Sequence, residues 1–118
     1  MATAIKTITT ESEAIAHLAT LVDEDFESAV NCIYESPGRV VITGIGKSAI
    51  IASKIVATLN STGTPAIFMH AADAIHGDLG TIQKDDVVIC ISKSGNTPEI
   101  KMLVPLIKIG NNKLIGMC

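Results

Sequence analysis

The sequence predicts an α/β fold built on a parallel sheet. Apolar, largely β-branched runs without polar alternation recur at Val40–Thr43, Ala66–Met69 and Val87–Ile91, as expected of strands buried on both faces. Stretches with apolar residues three and four apart separate them, and turns rich in glycine and hydroxyls join strand to helix. Strand–helix–strand units of this kind close with right-handed crossovers into a parallel sheet.

At 118 residues the chain suits one domain, 1–118, with one core. Its 18% charged content is below the roughly 25% of a typical soluble domain, which leaves surface for a partner or for further chain to cover. A net charge of −3 argues against a nucleic-acid partner, and two Phe and one Tyr are too few for a base-stacking platform. Cys32, Cys90 and Cys118 are odd in number, lack C-x-x-C spacing and sit in or beside apolar runs. They read as reduced thiols of a cytoplasmic protein, neither a disulfide frame nor a metal site. No apolar run approaches the roughly 18 residues of a membrane span, and no basic-then-apolar leader opens the chain, so no membrane partner is expected.

Thr10-Glu11-Ser12-Glu13 fits a capping box, and Ile15, Leu18, Val22, Phe26, Ala29, Val30 and Ile33 follow at helical steps. The spacing predicts one amphipathic helix over 11–35, with His17 off its stripe. That stripe is longer than a four- or five-stranded sheet needs, so it is either a core helix or a surface for another subunit. Ser36-Pro37-Gly38 ends it, and a βαβ core over 39–118 begins. Val40–Thr43 is the first strand and Gly44-Ile45-Gly46-Lys47-Ser48 its exit turn. A helix presenting Ala52, Ile55, Val56 and Leu59 runs to Asn60–Pro65. Ala66–Met69 forms the second strand, and Ala71–Gly80 leaves it as a short helix and loop. Lys84-Asp85-Asp86 turns into the third strand, Val87–Ile91. The next helix opens with Thr97 as N-cap and Pro98 at its first position, and carries Ile100, Leu103, Val104 and Ile107 inward. Pro105 falls inside that pattern and is expected to kink or shorten it. Gly110-Asn111-Asn112 then turns into a fourth strand, Lys113–Cys118. No helix follows to cover that strand, so we expect either a piece of a longer domain or completion by a partner.

The turn Ser92-Lys93-Ser94-Gly95-Asn96-Thr97 is a candidate anion cradle. It sits at a helix start, where unpaired N–H groups and the helix dipole favour negative charge, and it supplies three hydroxyls where an ordinary cap needs one. In open α/β sheets ligands bind beyond the carboxyl ends of strands where the strand order reverses. With a 2-1-3-4 order, Gly44–Ser48 and Ser92–Thr97 would share one ligand. A P-loop is excluded, because the first glycine of G-x-x-x-x-G-K-[ST] would fall on Val41. A dinucleotide fingerprint is formally met by Gly44, Gly46 and Ala49, but the second strand exits as Met69-His70-Ala71 without a carboxylate for a ribose. A plain βα turn with a solvated Lys47 remains the bland alternative.

Gly44–Ser48, Ser61-Thr62-Gly63-Thr64-Pro65, His76-Gly77-Asp78-Leu79-Gly80 and Ser92–Thr97 together resemble the sugar isomerase (SIS) domain family, in its arabinose 5-phosphate isomerase branch. The resemblance runs from about Arg39 to the end; S-T-G-T-P and H-G-D-L-G mark the branch, the serine turn only the wider superfamily. It implies a three-layer flavodoxin-like fold with sheet order 2-1-3-4, the fifth strand and the C-terminal part of the domain lying outside this chain. It implies interconversion of D-ribulose 5-phosphate and D-arabinose 5-phosphate, in the service of the lipopolysaccharide sugar Kdo. It further implies a homo-oligomer, dimer or tetramer, with sites shared between subunits, and usually a C-terminal pair of CBS domains, absent here. Carried over by position, Ser92, Ser94 and Thr97 bind the sugar phosphate with Gly46, Ser48, Lys93, Gly95 and Asn96, while Lys47, His76 and Glu99 form the catalytic set. This chain has Ala49 and Ile50 where the family commonly has glycine and histidine, and Lys93 where it commonly has asparagine. A further glutamate and histidine of the family's domain lie beyond the last residue.

Aldose–ketose isomerisation moves a proton between adjacent carbons through an enediol, and so needs a base and a stabiliser of the oxyanion, with no cofactor or metal. Glu99 in the first helical turn is either that base or a carboxylate stabilising the helix start. Lys47 neutralises phosphate or oxyanion charge, or is solvated. His76 relays a proton or opens the sugar ring, or merely bonds within its loop. His70 is read as structural or pocket-lining, and Asp78 as fixing its loop. Two other functions fit the same residues: a non-catalytic sugar-phosphate sensor, which needs only the anchor, and another SIS sugar-phosphate isomerase, against which H-G-D-L-G argues.

Overall fold

A computed structural model describes all residues from Met1 to Cys118. The chain divides into two compact units, Met1–Asn31 and Cys32–Cys118.

The single helix expected over 11–35 is two helices, α1 (Ala2–Leu18) and α2 (Glu24–Tyr34). The correction has a local cause. Asp23 Oδ1 accepts the Phe26 N–H at 3.1 Å, and Glu24, Asp25 and Glu27 fill the first turn that follows, so a helix start is written into the middle of the apolar stripe. On the other side of the break Thr20 Oγ1 donates to the His17 carbonyl at 2.8 Å, and the last turn of α1 tightens through i→i−3 bonds from Ala19, Thr20 and Leu21. Thr10–Glu13 is no capping box, because α1 already runs from Ala2 and carries these residues in its interior. Neither helix buries a residue: Ile5, Ile8, Ile15 and Leu18 are all more than half exposed, and His17 is solvated as expected.

In the second unit, β1 (Val40–Gly44), β2 (Ala66–His70), β3 (Val87–Ile91) and β4 (Lys113–Met117) form an all-parallel sheet in the order 2-1-3-4. α3 (Lys47–Ser61) joins β1 to β2. α4 (Ala71–Ile75) and a 3-10 turn (Asp78–Thr81) lead from β2 towards β3, and α5 (Pro98–Ile109) joins β3 to β4. The side-chain alternation of the strands divides the core. Val41, Met69, Val88 and Cys90 pack with Ala71 and Ala74 of α4 and with Ile100, Leu103 and Ile107 of α5. Val40, Ile42, Ala66, Ile89 and Ile91 pack with Ala52 of α3, flanked by Ile33, Ile55, Val56 and Leu59. β1 and β3 are buried throughout, which is why they carry no polar alternation.

Pro105 does not shorten α5, which is continuous from Pro98 to Ile109. Pro105 and Lys101 are both exposed, so the Lys101 carbonyl that loses its helical donor can be hydrated.

The amino-terminal edge of the sheet is held by one buried carboxylate. Asp86, with 1% of its side chain exposed, accepts from the Arg39 backbone N–H (2.9 Å) and Nε (3.2 Å) on Oδ1, and from Arg39 Nη2 (2.7 Å) and the Gln83 N–H (2.8 Å) on Oδ2. Asn112 Nδ2 donates to the Gln83 and Asp86 carbonyls, and Ser36 Oγ to that of Asp85. A Cβ at Gly38 would overlap the Asp85 carbonyl, so only glycine lets the chain pass. Burial alone would push the Asp86 carboxyl up, but the bonds from Arg39 and from the Gln83 N–H outweigh it and hold the group below its ordinary range. A depressed pKa stabilises the fold above the ordinary carboxylate range and stops doing so as pH falls through the folded value. Asp86→Asn should therefore cost about 3 kcal/mol at neutral pH. Chemical denaturation at a series of pH values should show the gap to the parent chain narrowing below about pH 4.

Candidate functional site

The carboxyl ends of the strands form the opposite edge. β2 lies on one side of β1 and β3 on the other, so the order reverses at β1, where open α/β sheets take their ligands, and the turns leaving β1 and β3 are neighbours. The parallel register Thr43↔Cys90 brings the residues after Gly44 alongside those after Ile91. Lys47 and Ser94 thus leave adjacent strands at one rim of the sheet, as the sequence reading requires.

The first turn is set by glycines. Gly46 has φ 59° and ψ −128°, a conformation that side-chain-bearing residues rarely adopt, and it caps α3. At Gly44 a Cβ would lie 3.1–3.2 Å from the backbone of Ser48 and Ala49, so glycine lets the helix start close against the strand. Lys47 and Ser48 open α3, Lys47 exposed and Ser48 half-buried.

The second turn is ordered by its own hydroxyls. The Gly95 N–H donates to Ser92 Oγ at 3.0 Å and the Asn96 N–H to Ser94 Oγ at 3.2 Å, while Gly95 takes φ 64°. Ser92 is buried, and its N–H extends the ladder to the Met117 carbonyl at 3.0 Å. Because both serine oxygens accept from the turn, their hydrogens remain free to donate outward. The N–H groups of Lys93, Ser94 and Thr97, and of Glu99 and Ile100 in the first turn of α5, make no hydrogen bond within the chain. Thr97 is the N-cap residue, as expected, but its side chain caps nothing. Its Oγ1 is buried and without a partner. Lys93, Ser94, Gly95 and Asn96 are exposed, and Glu99 is half-buried.

The exit of β2 stands at the same edge, His70 pairing with Gly44. His70 is the N-cap of α4, its Nδ1 accepting the Ala72 N–H at 3.3 Å. His76 is the C-cap of the same five-residue helix and is exposed, its N–H donating to the Asp73 carbonyl at 2.9 Å. The 3-10 turn after it is tied down at Thr81, whose carbonyl accepts from Arg39 Nη2 at 2.9 Å.

Two features escaped the sequence reading. Thr43, read only as a strand residue, is fully buried with an unpartnered hydroxyl, at the position of β1 that opposes both Met69 and Cys90. Thr43 and Thr97 are the only buried side-chain polar atoms without a partner, and both stand at this edge. Neither had a signal in a single sequence, because a threonine in a strand or at a cap is ordinary. The second is the capping role of His70, a residue type outside the usual cap set. Cys90, one strand position before Ile91, is buried, and burial raises its thiol pKa, so it stays protonated and is no nucleophile. A hollow of about 490 Å³ lies at the opposite edge, along Glu35–Pro37, Lys84–Asp86, Gly110, Asn111 and Lys113. Another of about 390 Å³ runs between α5 and β4 with Ser92 and Gly95 on its rim. Neither is lined by Lys47, His76 or Glu99.

Fold and edge together define a doubly wound α/β domain with a turn of unpaired N–H groups and hydroxyls at its switch point. The sequence profile of the SIS domain matches residues 33–118, and the chain belongs to that family. It is 48% identical over 112 residues to arabinose 5-phosphate isomerase KdsD of Pseudomonas aeruginosa, covering 95% of this chain and 34% of that protein. Against arabinose 5-phosphate isomerase GutQ of Escherichia coli K12 it is 43% identical, covering 95% and 35%. The chain thus spans about a third of the length of these curated relatives. A structure of E. coli CFT073 c3406 in complex with arabinose 5-phosphate superposes with TM-score 0.81 at 42% identity, covering 95% of this chain and 62% of that one. The Vibrio vulnificus NanR protein complexed with ManNAc-6P gives TM-score 0.78 at 18% identity over 95% of this chain and 43% of its own, a likeness of fold alone.

An orphaned hydroxyl costs stability that an isosteric methyl does not. Thr43→Val should raise the unfolding free energy by about 1 kcal/mol. Urea denaturation of the variant measures this; a loss of similar size would mean that the hydroxyl has a partner in solution.

Proposed function

We propose that this chain is the sugar-phosphate-binding and catalytic domain of an aldose–ketose isomerase that interconverts D-ribulose 5-phosphate and D-arabinose 5-phosphate. One observation carries the reading: a turn whose Lys93, Ser94 and Thr97 N–H groups and Thr97 hydroxyl are unpaired stands at the start of α5, beside a second glycine turn bearing Lys47. The names of the curated relatives and of the arabinose 5-phosphate complex support the substrate class.

In this reading the phosphate sits over the Ser92–Thr97 turn. The free N–H groups of Lys93, Ser94 and Thr97 and the outward hydrogens of Ser92 and Ser94 donate to its oxygens, the Thr97 hydroxyl finds its acceptor there, and Ser48, Gly46 and Lys93 face it from the rim. Anchoring at the phosphate holds the open-chain sugar in register for proton transfer. Glu99 removes a C1 proton of the ketose, the electron pair passes to the carbonyl oxygen, and the proton returns at C2 to give the aldose. Lys47 steadies the enediolate charge, and His76 moves the hydroxyl proton or assists ring opening. The chemistry needs neither cofactor nor metal. Assembly into a homo-oligomer with sites at subunit interfaces, and a place in Kdo formation, belong to the same proposal.

The test is ribulose 5-phosphate mixed with the full-length protein and followed for arabinose 5-phosphate. Glu99→Gln should lower turnover at least about a hundredfold while sugar-phosphate binding survives; undiminished turnover refutes the role. Thr97→Val should weaken that binding about tenfold, the loss of one hydrogen bond to a charged group. Binding without turnover in the parent protein would make the chain a sensor instead.

A further inference from the structure

α4 is five residues long and has one side-chain cap, the His70 imidazole on the Ala72 N–H. Ala71 and Ala74 are fully buried and hold α4 against the sheet and α5, so the caps decide only how its two ends are set. Its C-cap is His76. We propose that His70 is a positioning residue: its neutral ring fixes α4 and thereby the place of His76, and protonation of His70 releases both.

The geometry dictates the sign. To accept from Ala72, Nδ1 must carry the lone pair, so the ring is neutral with its proton on Nε2. Protonation puts a hydrogen on Nδ1 and abolishes the bond. An alternative partner waits at Asp73, whose Oδ2 lies 4.0 Å from Nδ1 and which attracts the ring only when it is charged. The Ala72 bond and the Asp73 ion pair compete for one nitrogen, and pH selects between them. Phe68 meets the ring edge to face, with 6.2 Å between centroids. β1 opposes His70 with the uncharged Gly44. The charged residues on the other elements packed against β2 and α4 are Lys47 and Lys54 of α3, Asp78 of the 3-10 turn, and Glu99, Lys101 and Lys108 of α5; none forms an ion pair within the chain. At the far end His76 stands between α4 and Gly77, which has φ 139°, and Thr81 beyond them is anchored to Arg39.

The catalytic consequence rests on the proposed isomerase; the structural switch does not, and the two are tested separately. Asparagine caps at every pH and alanine at none. In NMR titrations of the whole chain, the Ala72 amide and the His76 ring should shift with the His70 titration, and His70→Asn should remove that component from both. In the full-length isomerase, His70→Ala should lower kcat about fivefold at neutral pH with KM little changed, the size of a lost cap, and His70→Asn should restore it. His70→Asn should also raise activity on the acid side relative to the parent. An Ala72 amide that ignores the His70 titration, or a His76 resonance indifferent to both variants, overturns the proposal whether or not the protein turns over sugar.

Discussion

The pairing of β1 with β3 is the constraint on which everything else at the functional edge depends. Register Val40↔Val87 through Thr43↔Cys90 lays the two most buried strands side by side, although α3, β2 and α4 separate them in sequence. That crossover is what makes the order reverse at β1, and a reversal is what opens a crevice. With β2 between them, the Lys47 turn and the Ser92–Thr97 turn would be a strand apart. The cost of bringing such distant segments together is borne by the two apolar faces of the sheet, which α3 and the α4–α5 pair cover.

The two edges of this sheet are built to opposite rules. At the amino edge every polar group of Arg39, Asp86 and Asn112 singled out above has a partner, and the chain is fitted so closely that Gly38 admits no Cβ. At the carboxyl edge amides stand free, and both orphaned hydroxyls are found there. Native interiors seldom leave buried groups unpaired, and that both orphaned hydroxyls stand at this one rim supports the site proposed there. Arg39 joins the two regimes, since the guanidinium that pairs with Asp86 also ties the Thr81 carbonyl beyond His76.

Most of this was legible in the sequence. Val40–Thr43 and Val87–Ile91 have no polar alternation because both faces are buried, and the i, i+3, i+4, i+7 series from Ile100 to Ile107 marks the side of α5 that is buried. The two site turns declared themselves through glycine and hydroxyl content. What stayed hidden depended on competition between signals or on distant atoms. The apolar stripe through Leu18 and Val22 outweighed Asp23 as a helix start, and Pro105 lies on a face where water replaces the bond it removes. The orphaned state of Thr43 and Thr97, and the bond from Ala72 to His70, exist only once β1, β2, β3 and α5 have been brought to one edge.

The three cysteines are unpaired and graded in access: Cys118 exposed, Cys32 half-buried, and Cys90 enclosed beneath the serine turn with its thiol held protonated. A thiol-modifying reagent would meet them in that order, reaching Cys90 last, through the hollow between α5 and β4 whose wall it forms. The chain therefore carries an intrinsic clock for that hollow: the alkylation rate at this one sulfur reports how often α5 and β4 part above it, and a ligand seated on the neighbouring serine turn should slow it.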